Sequence, residues 1–124
     1  MIDPSRWLRA VKGAPRVGVM TAVGFLDETA VDGLRARLLA AHERGFRVFV
    51  LDVRSVYGAD AEGLSLLADL ADVLGIAGHR MHVANARPDL RWQFERQDFA
   101  DLFAFHPSVP AALRSIKIAA LKGA

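Results

Sequence analysis

The sequence predicts an α/β domain: a mostly parallel sheet of four or five strands with helices packed against it. Short apolar runs rich in β-branched residues alternate with segments whose apolar residues recur every three or four positions. This alternation is typical of crossover units on a parallel sheet. No polar residue interrupts the run Val48-Phe49-Val50-Leu51, which indicates a central strand covered by helices on both faces.

The first third of the chain predicts two strands and a helix. Ser5–Val11 reads as a short strand, and Arg16–Val23 as a second one that closes at Gly24-Phe25-Leu26-Asp27. Asp27 is placed to cap the helix that follows, and Gly45 to end it. The inward stripe of this helix consists of Val31, Leu34, Leu38 and Ala41, while Arg37, Glu43 and Arg44 face water.

The buried strand leads through a predicted loop, Arg54–Ala59, into a second helix from Asp60 to about Ile76. Apolar residues at helical spacing form its inward stripe: Leu64, Leu67, Ala71 and Leu74. Glycines at 75 and 78 then break the pattern.

The last third predicts two short strands, each followed by a helix. The strands are Met81–Ala84 and Leu102–Phe105. Pro88 opens the helix between them, which presents Leu90 and Phe94 to the core. Ser108 caps the final helix. Its inward stripe is Val109, Leu113, Ile116 and Ala120, and its water-facing residues are Arg114, Lys117 and Lys122.

Length and composition restrict the classes of function. The 124 residues suit one domain spanning 1–124, with residues 1–15 as an N-terminal strand and turn. The net charge is +2 and the basic residues are dispersed, which argues against nucleic acid as a partner. Without cysteine there is no disulfide, thiolate metal site or cysteine nucleophile. Without a stretch of about eighteen apolar residues or an apolar leader in Met1–Ala10, we expect a cytoplasmic protein that does not insert into membranes.

The chain carries few candidates for chemistry. It contains neither a P-loop nor a dinucleotide-binding glycine motif. His79 and His82, three apart beside a strand, would face opposite sides of the sheet, so we predict no metal site. Asp52 and Asp60 fall near the carboxyl edge of the sheet, where α/β proteins place their sites. With no nucleophile or cofactor loop beside them, Asp52 is expected to serve the loop and Asp60 to cap a helix. We therefore predict no cofactor and no enzyme activity.

The most informative segment is Asp60-Ala61-Glu62-Gly63-Leu64, which starts a helix directly after the loop. Asp60 is a good N-cap, and Glu62 suits the positive end of the helix dipole. Gly63 is unusual, because glycine in a helix costs about 1 kcal/mol relative to alanine. Two interpretations stay open: a close approach of backbone or of a partner, and a capped helix that tolerates glycine near its end.

Several landmarks, in order, resemble the STAS domain family, the module of bacterial anti-sigma-factor antagonists. Gly24-Phe25-Leu26-Asp27 resembles the family's G-x-L-D, and Asp60-Ala61-Glu62-Gly63-Leu64 resembles its D-S-S-G-L signature. Further similarities cover most of the chain from about Arg16 to Leu121: Val50-Leu51-Asp52-Val53 followed by Val56, Asn85 with Pro88, Leu90 and Phe94, and Leu102-Phe103.

The resemblance implies a STAS-like fold and a regulatory module that docks onto a protein. In the family, the surface around the second helix binds an anti-sigma factor that is also a serine kinase. Phosphorylation of the first serine of the motif prevents this binding. The corresponding partner-binding residues here are Asp60, Ala61, Glu62, Gly63, Leu64 and Ser65.

The sequence departs from the family at both serine positions of the motif. Ala61, which has no hydroxyl, occupies the phosphorylated position, and Glu62 occupies the next one. Three interpretations stay open. The chain is a permanently competent antagonist, or Glu62 acts as a fixed negative charge. Alternatively, the chain belongs to a STAS branch without the switch, such as an accessory subunit that meets a transporter ATPase or a component of a larger signalling assembly. A homodimer is also compatible with the sequence.

A serine, a group of aromatic residues and a group of arginines are each expected to have a structural role and not a functional one. Ser65, one turn after Ala61, is a poor kinase substrate within a formed helix. The aromatic residues Phe99, Phe103 and Phe105 are expected in the core. Arg87, Arg91 and Arg96 near Trp92 are expected on a solvated helix face.

Overall fold

The structure is a computed structural model that describes residues 16–74 and 81–123. In chain order its elements are β1 (Arg16–Leu26), α1 (Glu28–Glu43), β2 (Phe46–Ala59), α2 (Ala61–Leu74), β3 (Met81–Ala84), α3 (Pro88–Arg96), a 3-10 turn (Ala100–Leu102), β4 (Phe103–His106) and α4 (Val109–Gly123). The predicted strand Ser5–Val11 and the predicted helix end near Ile76 lie outside the described residues.

The described strands form one sheet in the order β1-β2-β3-β4, and every neighbouring pair is parallel. This confirms the predicted α/β class. Apolar side chains of α1, α2 and α3 pack on one face of the sheet in a large core. The other face carries a smaller core, in which Val17, Val19, Val48 and Val50 pack against Ala112 and Ile116 of α4.

The helix patterns predicted for the first two helices are confirmed. Asp27 caps α1 by accepting a hydrogen bond from the Ala30 N–H at 2.9 Å, and Gly45 follows the helix with φ +99°. All eight residues of the two predicted inward stripes are buried. Of the α1 residues predicted to face water, Glu43 and Arg44 are exposed, whereas Arg37 is half-buried.

The predicted loop Arg54–Ala59 is wrong, because β2 continues as a strand to Ala59. The expected end of β1 at Val23 is also too early. The two strands pair up to Leu26 and Ala59, with register shifts after Thr21 and after Gly24. These irregularities break the alternation of buried and exposed residues on which strand prediction depends, so the extension could not be read from the sequence pattern.

The last two elements differ from prediction in detail. β4 runs from Phe103 to His106, one residue later than expected. Ser108 does cap α4, since its hydroxyl accepts a hydrogen bond from the Ala111 N–H at 3.1 Å. Of the predicted α4 stripe, Ile116 is buried and the other three residues are half-buried, while Ala112, which the stripe omitted, is fully buried.

Candidate functional site

The turn between β2 and α2 is held by hydrogen bonds at both ends. The Asp60 N–H donates to the Leu26 carbonyl at 3.3 Å, which ties the turn to the end of β1. The Asp60 carboxylate accepts from the Gly63 N–H at 2.8 Å, and its carbonyl accepts from the Leu64 N–H at 3.0 Å. Asp60 therefore caps α2, as the sequence predicted, and gives the turn a fixed shape.

Gly63 lies directly against the last residue of β1. A Cβ atom at this position would stand 2.0 Å from the Leu26 carbonyl oxygen and 2.7 Å from its carbon. Neither atom belongs to a flexible side chain, so no larger residue fits without moving the backbone. Of the two interpretations that the sequence left open for Gly63, the close approach is the one observed, and what Gly63 approaches is the chain's own β1.

The six predicted partner-binding residues divide into two groups. Asp60, Ala61, Glu62 and Ser65 are exposed. Gly63 and Leu64 are buried, and Leu64 keeps 1% of its surface. Four of the six side chains are thus available to a partner, while the other two hold the helix start against the sheet.

The outer surface of α2 is acidic. The helix carries Glu62, Asp69 and Asp72, all exposed, and contains no lysine or arginine. Asp69 and Asp72 stand in the second half of the helix, where the helix dipole favours cations. This one-sided charge contrasts with the chain's net charge of +2.

Exposed apolar side chains lie on the strands beside the turn. Val23 and Tyr57 are 61% and 66% exposed, and Phe25 is 37% exposed. The rings of Phe25 and Tyr57 stand 5.8 Å apart between centroids. We call Val23, Phe25 and Tyr57 the strand-end patch; the extension of β1 and β2, which the sequence did not reveal, creates it.

Asp52, the second candidate carboxylate, is buried and connects neighbouring strands. It accepts hydrogen bonds from the Arg54 N–H at 3.1 Å and from the Asn85 side-chain amide at 3.0 Å. Asn85 follows β3 with φ +63°, and its own N–H donates to the His106 carbonyl at 3.2 Å. Asp52 and Asp60 thus have different hydrogen-bond partners, and each serves the local structure.

A histidine pair that the sequence reading missed lies at the β3–β4 edge. His82 Nδ1 and His106 Nε2 are 2.9 Å apart, and the rings stack with centroids 5.1 Å apart. Burial lowers the pKa of His106 below its ordinary value. The signal was present in the sequence, since each histidine falls within a predicted strand or at its end, but pairing required the register of β3 with β4. His79 lies outside the described residues.

The aromatic and arginine residues considered in the sequence analysis contact other side chains of the fold. Phe103 is buried, and Phe99 and Phe105 pack against the same core, as predicted. Arg91 and Arg96 lie over the rings of Phe105 and Trp92, each 4.9 Å from the centroid. Arg87 forms an ion pair with Asp89 at 3.7 Å.

Within residues 16–74 and 81–123, no group of three or more His, Asp or Glu residues is arranged to hold a metal ion. None of the helices in this part of the chain is long and apolar enough to span a bilayer.

Comparisons with solved structures reveal the same fold in regulatory and transporter proteins. An anti-sigma factor antagonist from Mycobacterium paratuberculosis aligns with a TM-score of 0.70 at 20% identity, covering 94% of this chain and 99% of the other. A sulfate transporter family protein from Wolinella succinogenes aligns with a TM-score of 0.71 at 21% identity, covering 86% and 88%. The murine Solute Carrier 26 family member A9 anion transporter aligns with a TM-score of 0.68 at 19% identity, covering 82% of this chain and 18% of the transporter.

These likenesses concern the fold, because identity is low in all three. No curated protein sequence matches significantly. The sequence profile of the STAS domain does match, over residues 9–112. This match extends across most of the chain, including the turn at Asp60 and the four described strands. The chain belongs to the STAS domain family.

Proposed function

We propose that the chain is a regulatory protein-binding module, similar to an anti-sigma-factor antagonist, which docks through the Asp60–Glu62 turn and the outer flank of α2. The observation that carries this proposal is the construction of the turn. Gly63 and Leu64 fix the helix start to the sheet, while Asp60, Ala61, Glu62 and Ser65 present exposed side chains. A preformed surface loses little conformational entropy when a partner binds.

The proposed module lacks the phosphorylation switch at the family's position, because Ala61 has no hydroxyl. Glu62 beside it carries one negative charge, whereas a phosphoserine carries about −1.5 to −2 at neutral pH. A carboxylate also lacks the third acceptor oxygen of a phosphate. We therefore favour an antagonist that is competent to bind at all times over one that mimics the phosphorylated state.

A role without catalysis is part of the same proposal. The two candidate carboxylates, Asp52 and Asp60, form hydrogen bonds that connect to Asn85 after β3 and to the start of α2. Both have structural tasks, which supports binding over acid–base chemistry. We further propose a cytoplasmic location and a partner that is a serine kinase-like anti-sigma factor.

The second candidate is a STAS subunit of a transporter or of a larger signalling assembly. It is favoured by the structural likeness to the Wolinella sulfate transporter family protein and to the murine anion transporter. A gene for a transporter ATPase beside this one would favour this candidate. Neighbouring genes for an anti-sigma kinase and a sigma factor would favour the first.

Affinity capture with Glu62→Arg tests the docking turn. Glu62 is exposed in the first turn of α2, so the substitution reverses a surface charge and leaves the core intact. We expect the variant to lose or change the recovery of one specific protein that the natural chain captures. Arg114→Glu on the exposed side of α4 is the charge-reversal control and should leave capture unchanged. Equal recovery by all three chains would show that the turn is not the docking surface.

Phosphorylation of Ala61→Ser tests the kind of partner. If the captured protein is a serine kinase, it should phosphorylate the variant at residue 61 and release it, while the natural chain stays bound. Ser65→Ala, prepared alone and combined with Ala61→Ser, identifies any transfer to the neighbouring serine. Failure of phosphate transfer to Ala61→Ser would argue against a kinase partner and in favour of the transporter candidate.

A further inference from the structure

An apolar groove of about 350 Å³ runs between α1 and α2, further along the helix that begins at the proposed docking turn. It is lined by Arg35 and Leu39 from α1 and by Leu66, Asp69, Leu70 and Val73 from α2. Leu70 is buried in its floor, whereas Val73 on its rim is 56% exposed. Glu62 precedes Leu66 by four residues, so the turn and the groove lie on one flank of α2.

The α2 side of the groove is negatively charged, whereas the α1 side contributes Arg35 to the lining. The exposed acids of α2 are Glu62, Asp69 and Asp72, and no basic residue of that helix offsets them. The guanidinium of Arg35, the basic group in the groove lining, pairs with Asp32 at 3.3 Å. An apolar floor with an acidic α2 side suits a partner that is apolar along one stripe and basic on the side that meets α2.

We propose that this groove binds an amphipathic α-helix of the partner protein, with aliphatic residues on one stripe and lysines or arginines flanking it. The shape supports a helix, since a groove between two helices receives side chains repeating every three or four residues. The acidic α2 side would repel nucleic acid and anionic lipid surfaces. This inference rests on the proposed function, because it describes the partner of the same docking surface.

A second copy of the chain fits less well. The exposed end of α4 combines Ile118 and Leu121 with Lys117 and Lys122, which is the chemistry that the groove requires. However, α4 covers the opposite face of the sheet from α1 and α2. Contact between these two surfaces would be head-to-tail and, unless a ring closed, would continue into a filament.

The experiment uses a synthetic 16-residue helical peptide with leucines at helical spacing and flanking lysines, titrated into the isotopically labelled chain. We expect NMR shift changes at Leu39, Leu66, Asp69 and Val73. Two matched peptides, one with the lysines replaced by glutamate and one with the leucines replaced by serine, should bind at least about fivefold more weakly, the loss typical of a central interface contact.

Protein variants locate the contact. Asp69→Lys and Val73→Ser should each weaken binding of the lysine–leucine peptide, also by at least about fivefold. Glu95→Lys on α3 and Val23→Ser in the strand-end patch are the matched controls, since Val23 is 61% exposed, and both should bind as the natural chain does. Equal binding of the three peptides, shifts confined to the strand-end patch, or concentration-dependent self-association that Asp69→Lys abolishes would each overturn the proposal.

The captured partner separates this inference from the proposed function. Loss of capture with each of the variants Glu62→Arg, Asp69→Lys and Val73→Ser supports both the docking turn and the groove. Loss of capture with Glu62→Arg alone supports the docking turn as a contact and refutes the groove as a binding site. Unchanged capture with all three variants refutes the docking surface as a whole.

Discussion

At the scale of single residues, Gly63 shows how a local preference is overruled by a contact distant in sequence. Alanine is favoured over glycine in a helix by about 1 kcal/mol. At residue 63, however, the Cβ of alanine would meet the Leu26 carbonyl oxygen at 2.0 Å. Since the obstacle is backbone, relief would require β1 and α2 to separate.

We therefore predict that Gly63→Ala lowers the free energy of unfolding by about 2 kcal/mol, because the overpacking cost exceeds the gain in helix propensity. Gly33→Ala in α1 is the control, since its Cβ would meet only the end of the Arg37 side chain at 3.7 Å; it should stabilise by up to about 1 kcal/mol. Urea denaturation measures both. The same sign for the two variants would contradict this account.

The His82–His106 pair predicts a pH dependence of stability. A hydrogen bond between imidazoles needs one N–H donor and one nitrogen lone pair, so the pair is lost when both rings are protonated. The pKa of His106 is lowered by burial from its usual 6.5. The unfolded chain therefore binds more protons near that pH, and stability should fall as pH drops below about 6.5 and level off above it.

The measurement compares urea unfolding at pH 5.5 and pH 7.5 for the natural chain and for His106→Gln. The variant should show the smaller change between the two pH values, because it lacks the shifted group. The carboxylate of Asp52 and the ring of His82 are the titratable groups on the same part of the sheet, and both are retained in the variant. An equal pH dependence in the two proteins would show that another group is responsible.

At the scale of elements, the helices were predicted better than the strands. The stripes of α1 and α2 follow a period fixed by helix geometry, and their caps, Asp27 and Asp60, act within a few residues. A local pattern suffices for such elements. Strand ends depend on a neighbouring strand, and the pairing of Leu26 with Ala59 joins residues far apart in the sequence.

Two isoleucines of α4 illustrate how the face of a helix decides the contribution of similar residues to stability. Ile116 is 6% exposed and packs on the valines of β1 and β2, whereas Ile118, two positions later, is 51% exposed. The helical pattern indicates which of them faces the sheet. Ile118 lies about 200° around the helix from Ile116 and therefore faces away from the sheet.

We predict that Ile116→Ala lowers the free energy of unfolding by about 2–4 kcal/mol, through lost burial and a cavity in the smaller core. Ile118→Ala should change it by less than about 0.5 kcal/mol. The midpoint of thermal or urea unfolding measures both. Similar losses for the two variants would mean that another surface, such as a second copy of the chain, covers Ile118.

At the scale of the whole molecule, the fold gives the residues at the start of α2 two different environments. The sheet and its two cores hold Gly63 and Leu64 in place, and the same helix start presents Asp60, Ala61 and Glu62 to solvent. Parallel strands bring the ends of β1 and β2 to one edge, where the proposed docking turn follows β2 and is tied to Leu26 of β1. The proposed partner-binding surface therefore requires the complete sheet, and a peptide spanning residues 60–65 would lack it.

The sequence by itself determined the α/β class, the stripes of α1 and α2, the caps and the unusual status of Gly63, because these follow from hydrophobic period and local backbone chemistry. The tertiary structure alone decided what Gly63 touches, how far β1 and β2 extend, which histidines pair and where α1 and α2 leave a groove. Each of these depends on segments brought together by strand register and helix packing. Those contacts leave no regular spacing in the sequence, so no local pattern could have predicted them.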